Sequence, residues 1–260
     1  MPSTAPTVIR LAGYRPPEFL IDAVALSFHL AAAETQVAAT LELRRNPAAT
    51  RGDGSLRLDG EGHALDGIAL DGRDLAPHEY AVDDEALTLF QVPDQFRLET
   101  WVRIHPDQNT ALEGLYLSNG MLCTQCEAQG FRRITYFLDR PDVMARFAVS
   151  LEADRGQYPV LLANGNPAGT EDLPDGRHRA CWDDPYPQPR YPFAPVAGDL
   201  SRVSDRFRTA SGRKVALNIW VEPENLDKCG HAMRALKNAM GWDEDRDGRA
   251  HDRDAYNIVA

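Results

Sequence analysis

Two long stretches near the start of the chain alternate between apolar and polar side chains. In Phe19–Leu30 the apolar residues recur at nearly every second position, and in Thr35–Arg44 they are Val37, Ala39, Leu41 and Leu43. Because successive side chains of an extended strand point to opposite faces, this period is typical of half-buried strands. It constrains the first part of the chain to sheets.

Further short apolar runs follow, separated by turns rich in Gly and Asp. They are Leu65–Leu70, Ala86–Val92, Phe96–Ile104, Arg146–Ala153, Tyr158–Ala163 and the alternating residues 215–221. Many short strands with frequent turn signals predict a mainly β fold of stacked antiparallel sheets, a β-sandwich.

Three segments break this pattern. Asn109–Arg133 is rich in Gly and small polar residues, which predicts an extended loop. The prolines of Asp184–Pro195 predict a linker or an edge segment. Leu226–Trp242 has apolar residues at helical spacing, with Gly241 as the expected stop signal.

Composition limits the partners and the compartment. The net charge of -11 argues against nucleic acid and against a membrane surface, since both would need clustered Lys and Arg. No apolar stretch approaches the ~20 residues that cross a bilayer, and residues 1–15 lack the features of a signal peptide. Four cysteines in a chain of 260 residues do not indicate a disulfide framework, so we expect a cytoplasmic protein with reduced thiols.

The sequence contains no complete catalytic motif. None of the seven histidines belongs to an H-E-x-x-H, and G-x-S-x-G and the phosphate-binding glycine motifs are absent. Cys123 and Cys126 have the C-x-x-C spacing of zinc knuckles and redox dithiols. They lack both a second ligand pair and a βαβ context, which favours two reduced structural thiols.

A second pattern has the spacing of a calcium loop. Asp243, Asp245 and Asp247 precede Gly248, and Asp254 occupies the twelfth position. The twelfth residue is Asp rather than the longer Glu, and no helix clearly follows. The alternative function is a β-sandwich binding module with a calcium loop at 243–254. The simpler interpretation of these aspartates is a solvated acidic run without a ligand.

The segment 109–142 carries a specific resemblance. Its Thr-Gln-Cys-Glu-Ala run at 124–128 precedes Gly-Phe-Arg-Arg-Ile-Thr-Tyr-Phe and then Asp-Arg-Pro-Asp at 139–142. This segment resembles the amino-terminal region of the aminopeptidase N family, zinc peptidases of the gluzincin type. The resemblance continues through Tyr14–Leu30, Tyr158–Asn166, Phe193–Asp199, Ser211–Val221 and Leu236–Asp243.

The resemblance implies two domains. Residues 1–199 would form a saddle-shaped β domain, and residues 200–260 the start of a thermolysin-like α+β catalytic domain. The family's zinc motif would come later than residue 260. We therefore expect no cofactor in this chain, no activity from it alone, and the missing catalytic domain as its intramolecular partner. Zinc and peptide substrates would belong to the full-length enzyme.

By motif position the resemblance also assigns two site residues. Glu127 matches the family's glutamate that binds the substrate's α-ammonium group, and Gln125 matches its neighbour in the first substrate pocket. The resemblance assigns no catalytic residue and no metal ligand to this chain.

The last residues depart from the family pattern. Polar or small residues occupy the alternating positions Asp247, Arg249, His251, Arg253, Ala255 and Asn257. Since unpaired charges in a core are costly, we predict that residues 247–257 do not bury favourably.

Overall fold

The computed structural model describes residues 10–260 and confirms a mainly β fold with several largely antiparallel sheets. Residues 1–9, most of the segment judged not to be a signal peptide, lie outside the described part. The strands are β1 (Phe19–His29), β2 (Thr35–Arg45), β3 (Leu56–Asp59), β4 (Ala64–Leu70), β5 (Arg73–Asp74), β6 (Tyr80–Val82), β7 (Ala86–Leu89), β8 (Gln95–Ile104), β9 (Gly114–Ser118), β10 (Met121–Gln125), β11 (Ala145–Asp154), β12 (Val160–Leu162), β13 (Asn166–Asp172), β14 (Arg177–Gln188), β15 (Val196–Gly198), β16 (Ser201–Arg208), β17 (Lys214–Val221) and β18 (Ala255–Val259). The single α-helix in this part of the chain, α1, is Cys229–Asp247.

The largest sheet has eight strands in the order β13-β14-β11-β1-β2-β8-β4-β5. Its pairs are antiparallel except β1 with β11, which is parallel. In β1 the apolar positions change from odd to even after Ile21, and a register shift between Ile21 and Ala23 accommodates that change. Such a bulge lets one extra residue into a strand, so both halves of β1 keep their apolar side chains in the core.

A three-stranded sheet, β3-β7-β6, and a four-stranded sheet, β12-β15-β10-β9, complete the main β unit. Aromatic side chains fill the space beneath the four-stranded sheet. The ring of Phe131 lies edge-on to Phe137 at 4.9 Å and to Phe193 at 5.1 Å between centroids. This geometry is favourable for aromatic pairs and gives the sheet a rigid support.

The second unit has its own hydrophobic core. The sheet β16-β17-β18 packs against α1 through Val215, Leu217, Ile219, Val221, Cys229, Met233, Leu236 and Met240. The expected stop at Gly241 is wrong, because the helix continues to Asp247 and ends at Gly248, whose φ of 65° suits a left-handed cap. Within residues 10–260 no helix combines the length and the apolar character needed to cross a membrane.

One loop prediction needs correction. Residues 109–133 are not one extended loop, because they contain the hairpin of β9 and β10 and a 3-10 helix at Gly130–Arg133. For the Pro-rich segment a linker or an edge segment was expected, and its first part is an edge segment, since β14 runs through Pro185 to Gln188. Pairing of β14 with β13 ends at Asp183, so these prolines lie where β11 is the only partner strand.

Candidate functional site

The hairpin of β9 and β10 forms because its turn sequence is Asn119-Gly120. Both residues have positive φ angles, 47° and 79°. A two-residue turn of this kind matches the twist of antiparallel strands, and Asn-Gly is its preferred sequence. Gly114 of β9 pairs with Gln125 of β10, which fixes where the hairpin ends.

Side chains along β10 alternate between the core and the outer surface. Leu122 and Cys126 are 0% and 1% exposed and point inward. Cys123 and Gln125 therefore share the outward face of β10. Glu127 lies in the turn directly after the strand and is exposed, as Gln125 is. The structure brings the two predicted site residues together at the end of the hairpin.

The backbone around Glu127 is tightly packed. Its N–H donates to Oε1 of Gln125 at 3.0 Å, and the N–H of Gly130 donates to the carbonyl of Cys126 at 2.9 Å. A Cβ on Gly130 would lie 2.5 Å from the carbonyl oxygen of Gln125, so only glycine fits there. The peptide bond between Glu127 and Ala128 is cis.

The carboxylate of Glu127 is available to a ligand. Among residues 10–260 no Lys, Arg or His lies within ion-pair distance of it, and its oxygens accept no hydrogen bond from the protein. An exposed carboxylate beside the amide of Gln125 can accept hydrogen bonds from a cationic amine.

A buried ion pair fixes the segment that follows Glu127. Asp139 is 2% exposed, and its Oδ2 accepts hydrogen bonds from Arg132 N at 3.1 Å and Arg132 Nε at 3.2 Å. Burial raises the pKa of Asp139, although the hydrogen bonds and charge of Arg132 oppose this. Asp59 contributes from β3, since its Oδ2 accepts from Asp139 N at 3.2 Å.

A groove of about 570 Å³ borders β10. Cys123 and Thr124 line one side, and Arg253 and Tyr256 of the second unit line the other. Thr124 Oγ1 donates to the carbonyl of Pro195, which ties β10 to the chain before β15. The groove thus lies at the seam between the two units.

The terminal segment agrees with the prediction that residues 247–257 do not bury favourably in that none of them is fully buried, although part of the segment is ordered as a strand. β18 pairs in parallel with β17, and the alternating residues His251, Arg253, Ala255 and Asn257 are half-buried, whereas Asp247 and Arg249 are exposed. Arg253 pairs with Asp184 at 2.9 Å, and Asn257 Oδ1 accepts from Trp220 Nε1 at 3.0 Å. The charge is tolerated because it has a partner, a possibility that the sequence argument did not consider.

The C-x-x-C pair does not form a joint site. Cys123 lies on the outward face of β10 and Cys126 faces the core, and all four cysteines are free. Burial raises the pKa of both thiols, which disfavours the reactive thiolate.

The calcium pattern does not form a loop. Asp243, Asp245 and Asp247 lie in the last turns of α1, where residues two apart point to different faces. Among residues 10–260 no group of three or more His, Cys, Asp or Glu side chains is arranged to bind a metal ion. The geometry that the alternative function needs is therefore missing.

Comparison with known proteins gives the family. Residues 69–191 match the Peptidase M1 N-terminal domain. The chain is 49% identical over 260 residues to aminopeptidase N of Caulobacter vibrioides, covering 100% of this chain and 30% of that protein. It is 46% identical over 247 residues to aminopeptidase N of Escherichia coli, covering 95% of this chain and 28% of the relative.

A solved structure agrees with these relatives. The crystal structure of Legionella pneumophila aminopeptidase A in complex with aspartic acid superimposes with a TM-score of 0.91 at 30% identity. The match covers 96% of this chain and 30% of the Legionella chain. The chain is therefore similar to the N-terminal domain of the M1 peptidase family over residues 69–191 and to the curated relatives over 95–100% of its length. Within that family its curated relatives are aminopeptidase N, of whose length it spans about 30%.

Sequence reasoning missed a second group of charged residues near the site. Asp184 and Arg190 are 1% and 2% exposed, and both lie in or next to the Pro-rich segment that was interpreted as a linker. The usable signal was the isolated arginine among prolines and aromatic residues, Gln-Pro-Arg190-Tyr-Pro-Phe. An arginine in such surroundings packs its guanidinium against rings, as Arg190 does on Phe147.

Proposed function

We propose that this chain provides one wall of the peptide-binding cleft of an aminopeptidase N. Glu127 binds the α-ammonium group of the substrate, and Gln125 lines the pocket for the first residue. The observation that carries the proposal is the exposed, uncompensated carboxylate of Glu127, whose backbone N–H donates to the side chain of Gln125 at 3.0 Å.

The chemistry explains why such a wall selects amino termini. A carboxylate and an ammonium group form a charge-assisted hydrogen bond, which is stronger than a neutral one. A peptide whose amine is blocked leaves the carboxylate unpaired and loses that interaction. The net charge of -11 also favours the approach of cationic ligands.

The division at residue 200 is part of the same proposal. Two hydrophobic clusters support it, one built from residues up to Ala197 and one from residues beyond 200. The described residues offer no set of metal ligands, so the zinc of the aminopeptidase N family does not fit this chain and we assign it no catalytic step. The peptide substrates, the catalytic domain as intramolecular partner, and the cytoplasmic location remain proposals. The four free cysteines support the last.

Binding to the chain itself tests the amine site. We would titrate alanine amide and acetyl-alanine amide into the isotope-labelled chain and follow backbone amide shifts by NMR. The free amine should shift residues 125–130 saturably, and the acetylated compound should not. Glu127→Gln should abolish the shifts.

Glu224→Gln is the matched control, because Glu224 is exposed, distant in sequence from the hairpin and without an ion pair in the described part of the chain. In a longer protein that carries this chain before a catalytic domain, Glu127→Gln should lower kcat/KM by about 10- to 100-fold, the value of a hydrogen bond to a charged group. Equal binding of free and acetylated amides, or no effect of Glu127→Gln, would remove Glu127 from the site.

A further inference from the structure

A buried carboxylate lies at the seam between the two units. Asp184 is 1% exposed, and its Oδ1 accepts hydrogen bonds from Gln188 Nε2 at 3.2 Å and from Arg253 Nη2 at 2.9 Å. Its Oδ2 has no partner among the described residues. A buried carboxylate with so few hydrogen bonds depends on its cation.

That cation belongs to the other unit. Arg253 precedes β18, and its guanidinium lies 5.4 Å from the ring of Tyr186 in β14. The next residue adds a backbone contact, since the N–H of Asp254 donates to Asn166 Oδ1 at 2.8 Å. Arg253 is therefore at the centre of the contacts that join the terminal segment to the main β unit.

The buried arginine six residues after Asp184 does not replace Arg253. Arg190 stacks on Phe147, with its guanidinium 3.1 Å from the ring centroid, and donates to the carbonyl of Gln188 at 3.1 Å. Its Nε lacks a partner, and no ion pair joins it to Asp184 in residues 10–260. Burial lowers the pKa of Arg190 to about 9, and the charges of Asp184 and Cys126 oppose that change.

We propose that Arg253 is a positioning residue whose ion pair with Asp184 clamps the second unit onto the main β unit. The clamp closes the groove that Cys123, on the outward face of β10, lines together with Arg253 and Tyr256 of the second unit. Loss of the clamp moves the second unit away from this face and opens the groove. The clamp involves neither Gln125 nor Glu127 and so does not depend on the proposed function.

Cys123 reports on the groove because its thiol lines it and is half-buried. The experiment measures the rate at which a maleimide alkylates Cys123 in the 260-residue chain, with peptide mapping by mass spectrometry to separate it from the other cysteines. Arg253→Met should raise this rate roughly tenfold, because it removes one partner of a buried pair. Arg249→Met is the control, since Arg249 is exposed four residues earlier and forms no ion pair in residues 10–260.

A double-mutant cycle separates the pair from its surroundings. Asp184→Asn should raise the rate as Arg253→Met does, and the double variant should match either single change rather than their product. Additive effects, or equal rates for Arg253→Met and Arg249→Met, would overturn the clamp. If circular dichroism shows that Arg253→Met does not fold, Arg253→Lys is measured instead. Its shorter side chain should give a smaller increase, and an unchanged rate would again overturn the proposal.

Glu127→Gln separates this inference from the proposed function. It should leave the alkylation of Cys123 unchanged while it abolishes the shifts caused by alanine amide. If the clamp variants behave as expected and Glu127→Gln still binds the amide, the amine site at Glu127 is refuted and the clamp is not.

Discussion

Replacing Asp139 tests whether the segment carrying Glu127 is fixed by its buried ion pair. The Asp139 and Arg132 side chains are 3% and 17% exposed, and breaking a pair so buried costs about 3–5 kcal/mol. Arg132 keeps Asp59 at 3.6 Å and Glu61 at 3.9 Å, which offsets part of the loss. We therefore expect Asp139→Ala to lower the free energy of unfolding by about 2–3 kcal/mol.

The assay is urea denaturation followed by intrinsic fluorescence, together with amide exchange of residues 126–133. Asp139→Asn should cost about 1 kcal/mol, because the amide oxygen still accepts from both nitrogens of Arg132. Glu113→Ala is the control: it removes the exposed partner of the neighbouring Arg133, at 3.2 Å, and should cost less than about 1 kcal/mol. If Asp139→Ala lowers the free energy of unfolding no more than this control does, or if amide exchange in residues 126–133 is unchanged, the ion pair does not fix the segment that carries Glu127.

The contribution of Asp139 to the pH dependence of stability follows from the direction of its pKa shift. Burial raises the folded-state pKa of Asp139 above its ordinary value of 3.8. The folded state therefore binds the proton more readily, and this contribution to stability is fully present below pH 3.8 and is lost as the pH rises through the raised value. Asp139→Asn should remove this dependence, and an unaltered stability profile in mild acid would contradict the shift.

Three further predictions concern other parts of the chain. Burial lowers the pKa of His63 to about 4, so stability should fall as the pH drops from 6.5 toward 4, where the unfolded chain binds the proton more readily. In urea titrations at several pH values, His63→Phe should remove this fall in the free energy of unfolding, which amounts to at most about 3 kcal/mol. The chain alone should not hydrolyse alanyl or arginyl amides with or without added zinc, and release of a chromogenic amine would refute this. Calcium should not raise the melting temperature, because the aspartates at 243, 245 and 247 are helical, and a rise at micromolar to millimolar ion would restore the calcium alternative.

The strands that face the core were predictable because every second residue of a half-buried strand is apolar. β1, β2, β8 and β17 lie where the alternation placed them. The hairpin of β9 and β10 was missed because its large apolar residues are consecutive, Leu115–Leu117 and Met121–Leu122, and do not alternate with polar ones. Asn119-Gly120 was the local signal that could have revealed it.

The site was predictable only in part, for a different reason. The resemblance gave Gln125 and Glu127 by motif position, but the strand alternation could place only Gln125, because Glu127 lies in the turn after β10. The partnership of Asp184 with Arg253 spans 69 residues and two units. Local propensity carries no information about such a contact, which is why the polar end of the chain was interpreted as unburied.

The order of the two hydrophobic cores along the chain has a consequence for biosynthesis. Every residue of the larger core precedes residue 200, so the ribosome completes it before α1 emerges. The eight buried members of the later core, between Val215 and Met240, emerge afterwards. The nascent second unit would thus assemble against a surface that is already finished, and damage to that surface would leave it to proteolysis.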